Sequence, residues 1–161
     1  MSSTAPEAEK SDAAHSKARL RLWLRLLKAS RAVEAELRER LRVEHATTLP
    51  RFDVLAALHR AEKGLKMSEL SGVLRVSNGN VTGIVDRLVQ DGLIMRVPVE
   101  DDRRAMRVRL TQRGREVFQK KARDHETWLN ELLGMIDPRE AEQMMTALER
   151  IARHGREEEK P

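Results

Sequence analysis

The sequence predicts a mainly α fold with a small two- to three-stranded β unit, in the order α-α-α-α-β-β-α-α. Three observations carry that expectation. Leucines recur at helical spacing through stretches free of Gly and Pro, and capping residues punctuate those stretches at helix-length intervals. Residues 94–110 instead hold two short apolar runs around a charged turn. The chain has 161 residues, 40% hydrophobic and 35% charged, enough for one core beneath an unusually polar exterior.

Taken in order, residues 1–13 are small and polar and are expected to form a disordered tail, as is the end of the chain, 156–161. From Ser16 to about Val43 a long helix carries two stripes. One is Leu20, Trp23, Leu24 and Leu27; the other is Leu22, Leu26, Val33, Leu37 and Leu41. Two stripes imply cover from two sides. The HATTLP segment breaks this helix, and FDVLAAL begins a second. Short and longer helices follow over Met67–Leu74 and Ser77–Gln90, with Ser77 placed to cap and Gly92 to terminate the latter. Ile94–Val97 and Met106–Leu110 read as strands. Thr111 opens a helix that buries Val117, Phe118, Ala122, Leu129 and Leu132. Asp137-Pro138-Arg139-Glu140 combines N-cap, proline at the first helical position and Glu at the third, ahead of a stripe of Ala141, Met144, Met145, Leu148 and Ile151.

Composition narrows the function. No cysteine is present, which removes disulfides, thiolate metal sites, cysteine nucleophiles and thiol redox sensing together. The five histidines (His15, His45, His59, His125 and His154) lack metal-ligand spacing, so no metal is expected. No GxSxG, phosphate-loop, HExxH or dinucleotide fingerprint appears; no catalytic residue and no cofactor is expected. The N-terminus has no apolar signal region and no run reaches the length of a membrane span, which points to a cytoplasmic chain without membrane partners. The net charge of +5 favours a polyanionic partner.

SELSGVL, the turn Arg75-Val76 and SNGNVTGIVDRLVQDGLI form a helix-turn-helix, and the hairpin after it makes a winged helix. On the second helix Val81, Ile84, Val85 and Leu88 share one side, at i, i+3, i+4 and i+7. The opposite side carries Gly79, Gly83, Asp86 and Gln90, flanked by Asn80, Thr82 and Arg87. Glycine inside a helix costs about 1 kcal/mol against alanine, so two on the outward face suit a surface that something approaches closely. The competing reading is a core helix with a merely solvated side. The hairpin weighs against it. Arg103, Arg104, Arg107 and Arg109 fall within seven positions, and from Arg75 to Arg115 nine arginines face five acids, a local net of +4. Arginines on a short turn beside such a helix are placed for phosphates or for a minor groove, where negative potential is focused.

At these residues the chain resembles the MarR family of bacterial regulators, over about Leu49 to Gly114 and in the layout of the flanking helices. The resemblance rests on LSGVLRVSNGNVTGIVDRLVQDGLIMR, the wing Asp-x-Arg (Asp102 and Arg104) and the closing LTQRG. It implies a cytoplasmic, nucleoid-associated homodimer with intertwined terminal helices on a pseudo-palindromic double-stranded DNA operator. The implied divisions are 14–45 as a dimerisation helix, 46–111 as the winged helix-turn-helix DNA-binding domain and 112–155 as C-terminal dimerisation helices. Candidate DNA contacts are Ser77, Asn78, Gly79, Asn80, Thr82, Gly83 and Arg87 for the major groove, with Asp102, Arg103, Arg104 and Arg107 on the wing. Arg104 matches the family's wing-tip contact and Asp102 the residue that holds it. A carboxylate two residues before an arginine would brace the guanidinium and reduce the rotamer entropy lost on docking.

The resemblance also implies a ligand-responsive regulator, most often a repressor. Its effector would be a small aromatic or phenolic anion, or its CoA thioester, bound between the dimer helices and the winged helix. Trp23, His45 and Phe52 are the candidates there; core packing for Trp23 and Phe52, and simple solvation for a linker His45, are the competing readings. Arg19, Arg21, Arg25, Lys28 and Arg31 on the first helix would meet a carboxylate or phosphates, or form a solvated face. The alternative function is a winged-helix protein-interaction module that does not read DNA.

Overall fold

A computed structural model describes the backbone of residues 5–99 and 102–157 and the side chains of residues 15–77, 79–99 and 106–154. Six helices and three strands follow in the order α1 (Ala5–His45), α2 (Leu49–Arg60), β1 (Leu65–Lys66), α3 (Met67–Leu74), α4 (Asn78–Gln90), β2 (Ile94–Val99), β3 (Asp102–Leu110), α5 (Gln112–Leu133) and α6 (Pro138–Glu157). The expected mainly α class with a small β wing is the class found.

Three helix ends correct the sequence reading. α1 starts at Ala5, inside the stretch expected to be a disordered tail. Pro6 falls in the first turn, where its missing N–H leaves no helical bond unmade. α1 also runs through His45, so His45 ends a helix rather than lying in a linker. α6 likewise continues to Glu157, two residues into the stretch expected to fray.

The chain divides into two compact units, residues 1–121 and 122–161. The reason within the first unit is packing. Leu37 and Leu41 of α1 are buried, and α1 packs on α2. Phe118, on the first half of α5, sets its ring 5.6 Å from Phe52 and 4.8 Å from His59 of α2. Leu55, Leu58, Leu70, Val81, Val85, Leu88, Ile94 and Val108 complete this core. Truncating any one of these leucines, or Ile94, to alanine would cost about 2–5 kcal/mol.

The sheet is antiparallel in the order β1-β3-β2. β1 is a strand that the hydrophobic pattern did not reveal, because two residues are too few to show an alternation; Leu65 pairs with Val108 and Lys66 with Arg107. In the long hairpin Ile94 lies opposite Leu110, Arg96 opposite Val108 and Pro98 opposite Met106, with an irregularity at Pro98/Val99. Pro98 is tolerated because β2 is an edge strand. Thr111 locks the base of the wing: its hydroxyl donates to the Gly92 carbonyl at 2.8 Å and accepts from the Gly114 N–H at 2.9 Å. Only glycine fits at 114, since a Cβ there would stand 1.8 Å from the Leu93 carbonyl oxygen.

The second unit holds the rest of α5, a tight turn and α6. Asp137 caps α6 as expected, accepting from Arg139 N–H and Glu140 N–H at 2.8 and 2.9 Å while Glu140 accepts from Asp137 N–H at 3.0 Å. Two faces stay uncovered in the single chain. Leu20, Leu22, Trp23 and Leu24 are exposed on α1, and Met144, Met145, Leu148 and Ile151 on α6.

Candidate nucleic-acid interface

The helix-turn-helix forms where expected. Lys66 N–H donates to Glu69 Oε2 at 2.7 Å to start α3, and Arg75 turns the chain in the left-handed region at φ 52°. A non-glycine residue there costs on the order of 1 kcal/mol, which the tight turn between α3 and α4 offsets. Ser77 occupies the N-cap of α4 but its hydroxyl closes no capping hydrogen bond; the backbone alone starts the helix, Val81 N–H meeting Ser77 O at 3.2 Å. The first N–H groups of α4 therefore remain available to an anion such as a phosphate.

The wheel reading of α4 holds. Val81, Val85 and Leu88 are buried, and Ile84 is half-covered. Gly79, Asn80, Thr82, Gly83 and Arg87 all face solvent. A Cβ built on Gly79 or Gly83 meets nothing within 4 Å, so neither glycine is demanded by the fold of this chain. The described residues give no packing reason for two costly glycines on one helix.

On the wing, Arg109 is exposed, whereas Arg107 is half-covered and its Nε lies buried with no acceptor among the described residues. β3 begins at Asp102, opposite Val99, which puts the Asp-Arg-Arg run at the end of the hairpin. The side chains of Asn78, Asp102, Arg103 and Arg104 lie outside the described residues.

One interface residue escaped the sequence reading. Arg96 of β2 pairs with Asp86 of α4 at 2.5 Å, on the outward stripe that also holds Gly79 and Gly83. The pair masks an acid that would otherwise face phosphates, and it fixes the helix against the wing. Only the strand register brings these residues together, so no local motif announces them. Arg96→Ala should therefore weaken DNA binding beyond the loss of one cation, and Asp86→Asn in the same chain should restore part of it. A titration in which the double variant binds no better than Arg96→Ala would leave Arg96 as a simple phosphate contact. A second strap joins Arg51 at the start of α2 to Asp91 at the end of α4, and this hydrogen bond holds the Asp91 carboxyl below its ordinary range.

Behind α4 lies a cavity of about 470 Å³, lined by Glu34 and Arg38 of α1, Leu49, Pro50 and Asp53 of α2, Leu74 of α3, Val76 of the turn, and Asn80 and Ile84 of α4. None of Trp23, His45 and Phe52 lines it. Trp23 is 57% exposed on α1, whereas Phe52 is 6% exposed and packs in the core. The lining residues come from four elements and share no sequence motif. Among the described residues no group of three or more His, Asp or Glu is placed to hold a metal ion, and no helix is long and apolar enough to cross a membrane.

A helix with an open polar face beside an arginine-bearing β hairpin defines the class: a winged helix-turn-helix of the kind that binds DNA. Comparison with known proteins gives the family. Residues 47–106 match the model of the MarR family. A MarR family transcriptional regulator from Silicibacter pomeroyi is 33% identical, with 87% of this chain and 96% of that one covered and a TM-score of 0.73. A MarR mutant from E. coli solved in complex with operator DNA is 25% identical over 81% of this chain and 92% of that one, with a TM-score of 0.71. Among curated relatives, the regulator PecS of Dickeya dadantii is 30% identical over 64% of this chain, and the activatory protein BadR of Rhodopseudomonas palustris 37% over 56%. The chain spans 63% and 47% of the length of those two relatives. The chain belongs to the MarR family of transcriptional regulators.

Proposed function

We propose that the protein is a ligand-responsive homodimeric repressor that acts in the cytoplasm and leaves a pseudo-palindromic operator when a small aromatic effector binds. The observation that carries this reading is the open, glycine-bearing face of α4 set beside the arginine wing. In the DNA complex α4 presents Asn80, Thr82 and Arg87 to base edges and phosphates of the major groove, and Gly79 and Gly83 let the groove wall approach. The α4 N-terminus, with Ser77 and Asn78, meets a phosphate. Arg104 enters the minor groove, braced by Asp102, while Arg103 and Arg107 reach the backbone.

The uncovered apolar stripes of α1 and α6 support a dimer, since exposed patches of this kind mark association surfaces. Residues 14–45 and 112–155 then serve dimerisation, with 46–111 as the DNA-binding part. The cavity supports an effector because Asn80 and Ile84 of α4 form one of its walls. Footprinting on the DNA upstream of the coding region, with light scattering of the free protein, tests the proposal. Two-fold related protections by a dimer are expected; a monomer in solution or protection without symmetry would overturn it.

A further inference from the structure

Asp91 sits where local preference argues against it. It is the C-cap of α4, at the negative end of the helix dipole, where a cation is preferred and an acid disfavoured. A residue that breaks a local rule needs a compensating contact, and here that contact is Arg51. The Arg51 guanidinium donates to Asp91 Oδ2 across 40 residues of chain, and the charges of Arg87 and Arg113 act on the same carboxylate. Lys121 of α5 repels Arg51: burial first, and then that charge, holds the Lys121 amine below its ordinary range. Against that repulsion Asp91 keeps Arg51 in place.

Arg51 also belongs to the corner between α1 and α2. Ala46 turns the chain there in the left-handed region at φ 46°, and the buried Thr47 donates its N–H to the Leu41 carbonyl at 3.2 Å. Thr48 caps α2 by accepting from the Arg51 N–H at 3.4 Å. One residue thus ties the corner through its backbone and the end of α4 through its side chain. The apolar contacts between α2 and α4 are non-directional and hold a separation, whereas the ion pair pins one end of the helix. Arg96 meanwhile holds Asp86 to the wing, so α4 and the wing stay one body.

We propose that Arg51 and Asp91 are positioning residues that fix the angle of α4 to the α1–α2 corner, and through it the half-site spacing the protein accepts. The inference rests on the homodimeric reading, in which α1 serves dimerisation. Neither residue need meet DNA for this. With the pair broken, each subunit still reads its own half-site, but the two recognition helices lose their fixed separation.

Anisotropy titrations of the full chain test it on three duplexes: the footprinted site, that site with one base pair added at its centre, and a single half-site. The added base pair moves the half-sites apart by roughly 3.4 Å and turns them by roughly 35°. Wild type should bind the lengthened site at least about tenfold more weakly than the native one. Asp91→Asn, which keeps the shape of the side chain, and Arg51→Gln should each cut that penalty by about threefold to tenfold. Both should leave half-site affinity within about twofold of wild type. The double variant should do no more than either single one, and Arg51→Lys should recover part of the penalty, since an ammonium still pairs with the carboxylate. A wild-type penalty in both single variants, losses shared equally by all three duplexes, or additive effects in the double variant would each overturn the proposal. A wild type that binds the full site no better than the half-site would overturn the homodimeric reading itself, and this inference with it.

Discussion

Replacing Arg104 by alanine is expected to abolish tight operator binding while leaving the protein folded and its oligomeric state unchanged. β3 starts at Asp102, so Arg104 stands at the far end of the hairpin, away from the packed base formed by Ile94, Val108 and Leu110. A dimer loses two such arginines, and at about 1–3 kcal/mol for each contact the loss is roughly 30-fold to 10⁴-fold in affinity. Asp102→Ala should weaken binding too, although it removes a negative charge from a surface that meets phosphates. Tighter binding by Asp102→Ala would refute the bracing role, and gel-shift titrations of Arg104→Ala matching wild type would refute the wing contact.

Gly83→Ala is expected to move stability and DNA binding in opposite directions. Within the free protein a Cβ at this position meets nothing within 4 Å, and the residue lies inside a 13-residue helix. Alanine should then stabilise the fold by about 0.5–1 kcal/mol, a rise of roughly 1–4 °C in Tm for a chain of this size. If a groove wall packs against that face, the same methyl group obstructs docking, and the larger side chain of Gly83→Leu should weaken binding further still. A rise in both Tm and operator affinity would mean that the face is only solvated. Gly79→Ala should behave alike, with a smaller gain in stability because it sits in the first turn.

The parts of this fold that were legible in the sequence are those with a local cause. The buried side of α4 follows from the spacing of Val81, Ile84, Val85 and Leu88, and the start of α6 from the Asp137–Glu140 box. The open face with its two glycines was legible for the same reason. What could not be read depends on contacts between elements. β1 exists only because β3 pairs with it, and the Asp86–Arg96 pair depends on how β2 packs against α4. The cavity draws on four elements whose lining residues share no motif, so no local pattern announces it. Composition also misled at the N-terminus, where polarity suggested disorder although Ala and Glu are good helix formers.

The central claim is that α4 and the wing read DNA, and the salt dependence of binding tests it most directly. Anisotropy titrations of the full chain, on upstream DNA and on a scrambled duplex of equal length, would be run across a series of salt concentrations. A log–log slope of about −0.9 per neutralised phosphate is predicted, shallower in Arg104→Ala, with the upstream site preferred by at least about 10³-fold. Binding that is insensitive to salt, or equal on the two duplexes, would contradict the account.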